Sequence, residues 1–580
     1  MAAERDRLTG PAPRLVWLWA ALTAARWLAA WPITEPRIFR DELLHWQMAK
    51  AYAFHQPVVL FGEAIHYPAV LYPALLSPLF LVATPRAAFH LAQALNAAAV
   101  SAVVFPAYGL ARQFAPARSA LAVAALSALA PSGVYSALIM EESLFYPLFV
   151  LASWFCFRAL TRGSAWDGLA CGVALCLAYF TKPLGLVLVG AYAIGAAAWA
   201  AAELRKAAQG SRAAALAARV VPLVVFAAVL LARRSLAPGE GHGSASELLL
   251  SRFYAEELGG PLIPPLLPTA AVALALLASL VLGVGAAPAA AALGAWRGAK
   301  GDRATLAFTA FAALVIALYV AAGARHTLVM NDSLRPHERY LFMVGPLLLA
   351  VAAMAQARVG GRVATAVVVG MIVLSVGPLG PLVLTRATSI DAPSLTLPWM
   401  LRRSLGSGWA AAALTGAAAL AVSVGAARAR ERPVARFAWA AGLLLALNAG
   451  WYAHVYGQRS LDAMSRLIRE LDSRVGRAQR LAVVITDRSE AIGRFAYYSK
   501  FWLDDRVVAY WAGAGPAPWY VDVSGPPEET LRRTGAEYLV APASADALCP
   551  GALPAQGIRP GRNLPLVVLQ APPTGGCARN

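Results

Sequence analysis

The chain has 580 residues, 59% of them hydrophobic and only 14% charged, with a mean hydropathy of +0.58. So much apolar surface needs lipid as its solvent, which excludes a string of ordinary soluble domains and predicts a polytopic α-helical membrane protein. The formal net charge of +19 gathers in short loops between apolar runs, as the positive-inside rule expects, so a nucleic-acid partner is set aside.

The basic start, MAAERDRLTGPAPR, leads into an apolar run too long and too Trp-rich for a cleaved signal, and it reads as an uncleaved first span. Arg26 inside it reads as a snorkelling or bundle-paired cation rather than a catalytic one. Spans are predicted to begin near Leu15, Ala87, Ala120, Leu144, Trp166, Gly185, Val220, Thr269, Leu306, Leu341, Val363, Trp409 and Phe437, about thirteen in all. Residues 1–455 thus form a transmembrane domain. Its cytoplasmic loops are those carrying Arg112 and Arg118, Arg158 and Arg162, Arg205 to Arg219, Arg297 to Arg303, Arg358 and Arg362, and Arg428 to Arg436.

That alternation constrains the first external loop, 34–85. If Tyr67 to Ala83 crossed the membrane, every later basic loop would move outside, so residues 67–84 read as a juxtamembrane helix, its prolines tolerable where protein or cavity water covers the backbone. A full span with one later segment misassigned stays open as the alternative. The loop opens with Asp41 and Glu42 just past the membrane boundary, followed by His45, Trp46, Lys50, Glu63, His66 and Tyr67. A lone loop carboxylate there would simply be solvated; the density of the cluster points to chemistry.

The same topology puts other polar groups on the outer face. Glu141 and Glu142 interrupt ALIMEESLFYPLF, Lys182 sits in AYFTKPLGLVL, and the loop at 325–340 reads RHTLVMNDSLRPHERY. Arg233, Arg234, His242 and Arg252 lie in another outer loop, and the stretch 386–403 has no assigned role. Taken singly, each has a bland reading: a helix-start carboxylate favoured by the dipole, a snorkelling lysine, loop histidines at His326 and His337.

Cys156, Cys171 and Cys176 fall in apolar runs and read as small hydrophobes. After Tyr452 the pattern changes to a helical period through Leu461, Met464, Leu467, Ile468 and Leu471, then to the strand-like runs LAVVIT, RVVAY, WYVDV, EYLVA and LPLVVL. Residues 456–580 are therefore expected to form a soluble α/β domain, extracytoplasmic given an odd number of spans. Whether Cys549 and Cys577 pair within it is left open.

Carboxylates at one end of an outer-face site and Lys or Arg at the other suit a lipid phosphate leaving group and a hydroxyl nucleophile. A carboxylate removes the acceptor proton, and cations stabilise charge developing on the departing phosphate. Nucleotide sugars are not supplied outside the membrane, so the donor is expected to be lipid-carried.

The ordered set DELLHWQMAKAYA, YPAVLYPALL, EESLFYPLF, AYFTKPLGLVL and HERYLFMVGPLLL resembles the GT-C fold glycosyltransferases. Family 39, the protein O-mannosyltransferases and aminoarabinose lipid A transferases, is the group it is most similar to, over about the first 350 residues. The resemblance implies that Asp41 is the general base with Glu42 beside it, that Lys182, Arg339 and Arg335 meet the donor phosphate, and that Glu142, Glu141, His66, Tyr67 and Tyr340 line the acceptor or sugar pocket. One departure is noted. The Lys-Pro-Pro frequent in relatives is replaced by His66, Tyr67 and Pro68, which puts phosphate contacts there in question. Partners implied are a polyprenyl-phosphate sugar, an acceptor protein, lipid or glycan, and the lipid bilayer. No metal or other cofactor is expected, since the acidic groups are spread along the chain, and the inner membrane of a bacterium is the expected location. The rival readings are a multi-span transporter or lipid flippase, against which no paired broken helices are found, and an envelope scaffold without catalysis. The sugar, the acceptor and the oligomeric state are not legible.

Overall fold

The computed structural model describes residues 11–37, 39–61, 63–65, 67–204, 212–236, 264–295, 303–330, 334–354, 362–385, 388–429, 433–457, 466–472, 480–485, 490–503, 507–511, 521–524, 536–542, 553–554 and 566–570. His66, His242, Arg252, Cys549 and Cys577, singled out above, lie outside these.

Seven helices among the described residues are long and apolar enough to cross a membrane: Pro85–Ala111, Glu142–Arg162, Gly185–Ala202, Leu216–Arg233, Leu266–Val284, Ala304–Val329 and Gly408–Arg428. Counting as one span the pair Ala117–Ala128 and Pro131–Ala137, bent by 53°, makes eight. The expectation of about thirteen is not reproduced among the described residues. Among the described residues Ala165–Thr181, Phe342–Met354 and Arg362–Val376 run for 10–17 residues, where a ~30 Å hydrocarbon core takes about 20 at 1.5 Å per residue. Pro11–Ala30 and Pro433–Tyr456 have the length, 20 and 24 residues, but Arg26 in the first and Asn448 and His454 in the second dilute their apolar character. A further helix, Ala286–Ala295, had no counterpart in the expected spans.

The stretch 67–84 contains two helices, Leu71–Leu76 and Leu79–Val82, interrupted at Ser77-Pro78 and together too short to span. Thr84 then caps the next helix, accepting from the Ala87 amide at 3.4 Å, with Pro85 at its first position. Helix breaks elsewhere also follow local rules. Glu142–Arg162 stops at Gly163 in the left-handed region, φ +62°, and Ala165–Thr181 stops where Lys182 turns extended ahead of Pro183.

Past residue 466 six strands make one sheet, in the order Val523–Ser524, Val507–Trp511, Arg480–Ile485, Ala536–Pro542, Leu566–Gln570, Leu553–Pro554. Arg480–Ile485 pairs in parallel with both neighbours, and Leu566–Gln570 pairs antiparallel with both of its own. Two apolar cores result. One runs through the helix bundle. The other joins the loop helix Phe39–Ala53 and the residues Tyr72, Leu76 and Phe89 to the tail helix Glu490–Leu503 and the sheet, so the tail packs directly on the loop that carries Asp41.

Candidate active site

The loop helix Phe39–Ala53 carries Asp41 and Glu42 in its first turn, where the positive end of the helix dipole favours carboxylates. The two acids face different tasks. Glu42 is fully buried; one oxygen accepts from the Ile139 amide at 2.8 Å and the other from the Arg37 amide. It therefore pins the start of the loop helix to the segment leading into Glu141 and Glu142. Asp41 keeps 34% of its side chain exposed and pairs with Arg339 Nη1. Burial alone would raise its carboxyl, but the Arg339 guanidinium outweighs this and holds it at about 2.

Arg339 comes from the 3-10 turn Glu338–Tyr340. Its guanidinium and the Lys182 ammonium both face the Tyr340 ring, at 5.2 and 5.0 Å. Lys182 Nζ lies 2.5 Å from Glu142 Oε1 and 3.2 Å from Glu141 Oε1. The second Glu142 oxygen is buried without a hydrogen-bond partner. Glu141 also receives the Tyr67 hydroxyl, at 3.3 Å, and stands 3.6 Å from His45 Nε2. An unbroken chain of contacts thus runs Asp41, Arg339, Tyr340, Lys182, Glu142 and Glu141, Tyr67.

Two carboxylates on one buried ammonium cannot both stay charged cheaply. Burial pushes Glu141 up to about 8, against the pull of Lys182. His45 goes the other way, down to about 4, because burial disfavours its cation more than Asp41 and Glu142 favour it. A neutral imidazole therefore abuts a carboxyl that holds its proton near neutral pH. For Lys182, burial works against the charge, but Glu142 and Glu141 prevail and its pKa rises.

Of the residues singled out from the sequence, Asp41, Glu141, Glu142, Lys182, Arg339, Tyr67 and Tyr340 come together, with Glu42 behind them as a backbone anchor. Arg335 makes its contacts elsewhere, to Asp391 at 3.1 Å and His337 at 3.3 Å. His66 lies outside the described residues. Sequence reasoning gave no individual role to four others. His45 sits one helical turn after Asp41, a spacing that signals a shared face. Glu338 accepts from Ser132 Oγ at 2.6 Å, Ser394 Oγ at 2.7 Å and the Ser394 amide at 2.9 Å, locking the Arg339 turn to two other segments. Asp391 and Arg37 complete the set, and no local pattern marks either of these two. Among the described residues no group of three or more His, Cys, Asp or Glu side chains is arranged to hold a metal ion.

No protein-family model matches the chain, and no curated protein does. Solved structures do. ArnT from Cupriavidus metallidurans bound to undecaprenyl phosphate superposes with TM-score 0.59 at 16% identity, over 97% of this chain and 98% of that one. The same protein in the apo state gives 0.56 at 15%, with the same coverage. The chain has the GT-C fold. In this GT-C fold the contact chain from Asp41 to Lys182 joins the loop after the first helix to the break after Thr181, two points far apart in sequence.

Proposed function

We propose that this protein is an integral-membrane glycosyltransferase that moves a sugar from a polyprenyl-phosphate donor to an acceptor on the extracytoplasmic face. The observation that carries the reading is the single cluster in which an ionised, partly exposed Asp41 pairs with Arg339, and Arg339 shares the Tyr340 ring with Lys182. Additional support comes from the fold likeness along the whole chain to ArnT, whose bound lipid is undecaprenyl phosphate.

The step is a direct displacement with inversion. Asp41 takes the proton of the acceptor nucleophile, whose electron pair forms the new bond to the anomeric carbon as the bond from that carbon to the phosphate oxygen breaks. The phosphate leaves with that electron pair and one more negative charge, which Lys182 and Arg339 stabilise. Arg339 also explains how a carboxylate held at about 2 works as a base: as the guanidinium turns to the phosphate, Asp41 loses its partner and gains basicity. Glu142, with a buried oxygen lacking a partner, is suited to accept a sugar or acceptor hydroxyl, beside Glu141 and Tyr67. Nothing in the step calls for a metal or another cofactor. The N-terminus is assigned to the cytoplasm, the sheet-bearing region 456–580 to an extracytoplasmic α/β domain, and the membrane to the bacterial inner membrane, on the charge pattern of the loops.

Incubation of purified protein with a panel of polyprenyl-phosphate sugars and membrane extract tests the assignment. Release of polyprenyl phosphate is expected, and Asp41→Asn should cut turnover by roughly 10²–10⁴-fold with donor binding kept. Substrate movement across vesicles by an Asp41→Asn variant that turns nothing over would instead favour a transporter.

A further inference from the structure

We infer that Arg37 is an anion-binding residue for the donor phosphate, an inference that rests on the polyprenyl-phosphate reading above. The three cations named for that task from the sequence each already face a carboxylate: Lys182 faces Glu142 and Glu141, Arg339 faces Asp41, and Arg335 faces Asp391. Arg37 does not. It is 7% exposed, and its Nε and Nη1 are buried with no hydrogen-bond partner. Its main-chain amide donates to Glu42, whose other oxygen holds Ile139, so the residue is tied to the segment leading into Glu141. Glu42, the carboxylate its main chain touches, is engaged by two main-chain amides.

A buried guanidinium without a counter-charge is among the least favourable arrangements a fold can keep, because desolvation is not repaid by Coulomb attraction. Chains retain such a group where the missing anion arrives with a ligand. A planar, permanently charged fork matches phosphate oxygens in two-point geometry, and a cation free of internal competition binds phosphate without first breaking an ion pair. Lys182 and Arg339 must exchange partners to do the same. Division of labour follows: Arg37 anchors the phosphate in the ground state, and Lys182 and Arg339 respond as its charge grows.

This makes an unusual demand on a substitution. Removing a structural arginine lowers stability, whereas removing an uncompensated one leaves the free protein as stable or more so, while weakening stabilisation by the ligand. Thermal unfolding of detergent-solubilised wild type, Arg37→Gln and Arg37→Lys is measured with undecaprenyl phosphate, with undecaprenol and with inorganic phosphate. Expected are a rise in wild-type Tm with undecaprenyl phosphate and not with undecaprenol, an equal or higher ligand-free Tm for Arg37→Gln, and a lipid requirement raised at least tenfold in that variant. Arg37→Lys, which keeps charge but not the fork, should fall between and carries the test if Arg37→Gln does not fold. A lower ligand-free Tm with an undiminished lipid response would overturn the inference and make Arg37 structural. Equal shifts with inorganic phosphate would overturn the lipid headgroup as the ligand. No wild-type response to undecaprenyl phosphate would bring down the donor reading itself.

Discussion

Asp41 and Glu141 illustrate how two acids in one cluster acquire opposite character. Asp41 stands against a single guanidinium and is held at about 2, down from 3.8, despite its burial. Its contribution to stability is present above 3.8 and is lost as pH falls toward about 2. Glu141 shares Lys182 with Glu142 in a buried setting, and its carboxyl rises from 4.5 to about 8. Here the folded chain keeps a proton that the unfolded chain has released, so the contribution is fully present below 4.5 and disappears as pH climbs to about 8. Wild-type Tm is therefore expected to decline between about pH 5 and 8, and Glu141→Gln to lack that part of the decline. Parallel pH profiles for the two proteins would show that Glu141 does not hold the proton. At this scale the sequence revealed residue types and order. It could not reveal pairing: that Arg339 meets Asp41 while Arg335 meets Asp391 depends on how a 3-10 turn orients neighbouring side chains.

Among elements, the contact of greatest consequence joins the loop helix Phe39–Ala53 to the tail helix Glu490–Leu503. Trp46 stacks on Phe501 at 4.6 Å, Phe61 meets Tyr497 edge-on at 5.4 Å, and Gln47 donates to the Lys500 carbonyl at 3.5 Å. Trp502 donates to Glu35 Oε2 at 2.6 Å while Arg86 lies over its ring at 5.1 Å. Aromatic pairs of this kind contribute about 0.5–1.5 kcal/mol each beyond their buried area. The tail thus braces the helix that presents Asp41. Trp502→Phe keeps a ring but removes the donor to buried Glu35, a loss of roughly 1–3 kcal/mol. Lower Tm is expected with a several-fold drop in kcat and an unchanged donor KM, since Asp41, the proposed base, is displaced rather than the proposed donor site. A lowered Tm with kcat intact would mean that the brace has no bearing on Asp41. Helix-to-helix packing in the bundle follows a simpler rule. Gly168 and Gly172, one turn apart, let Ala165–Thr181 approach Arg212–Leu236 so closely that an added Cβ would come within 2.7 Å of the Ala218 carbonyl oxygen and of Val225. That spacing was visible in the sequence; its partner helix was not.

For the whole molecule, the orientation proposed from the basic loops has a direct measurement. In a background lacking the native cysteines, Ala64→Cys in the first loop should react with a membrane-impermeant thiol reagent in spheroplasts, and Arg162→Cys only after permeabilisation. Both positions are exposed. The reverse pattern would place the cluster on the cytoplasmic side and remove the argument for a lipid-carried donor.

Composition and apolar run length were enough to establish a membrane-embedded helical chain, because the demand that lipid makes on buried backbone is met locally, residue by residue along each helix. Pro and Gly marked the breaks that end Ala165–Thr181 at Lys182 and Glu142–Arg162 at Gly163 for the same local reason. How the apolar runs pack against one another was not decided locally, since that depends on which helices meet. The meeting of Asp41, Arg339, Tyr340 and Lys182, the burial of Glu42 and Arg37, and the docking of the tail on the loop helix belong to tertiary structure alone. Each depends on contacts between segments separated by tens to hundreds of residues, and charge pairing and burial are set by those neighbours rather than by the local chain.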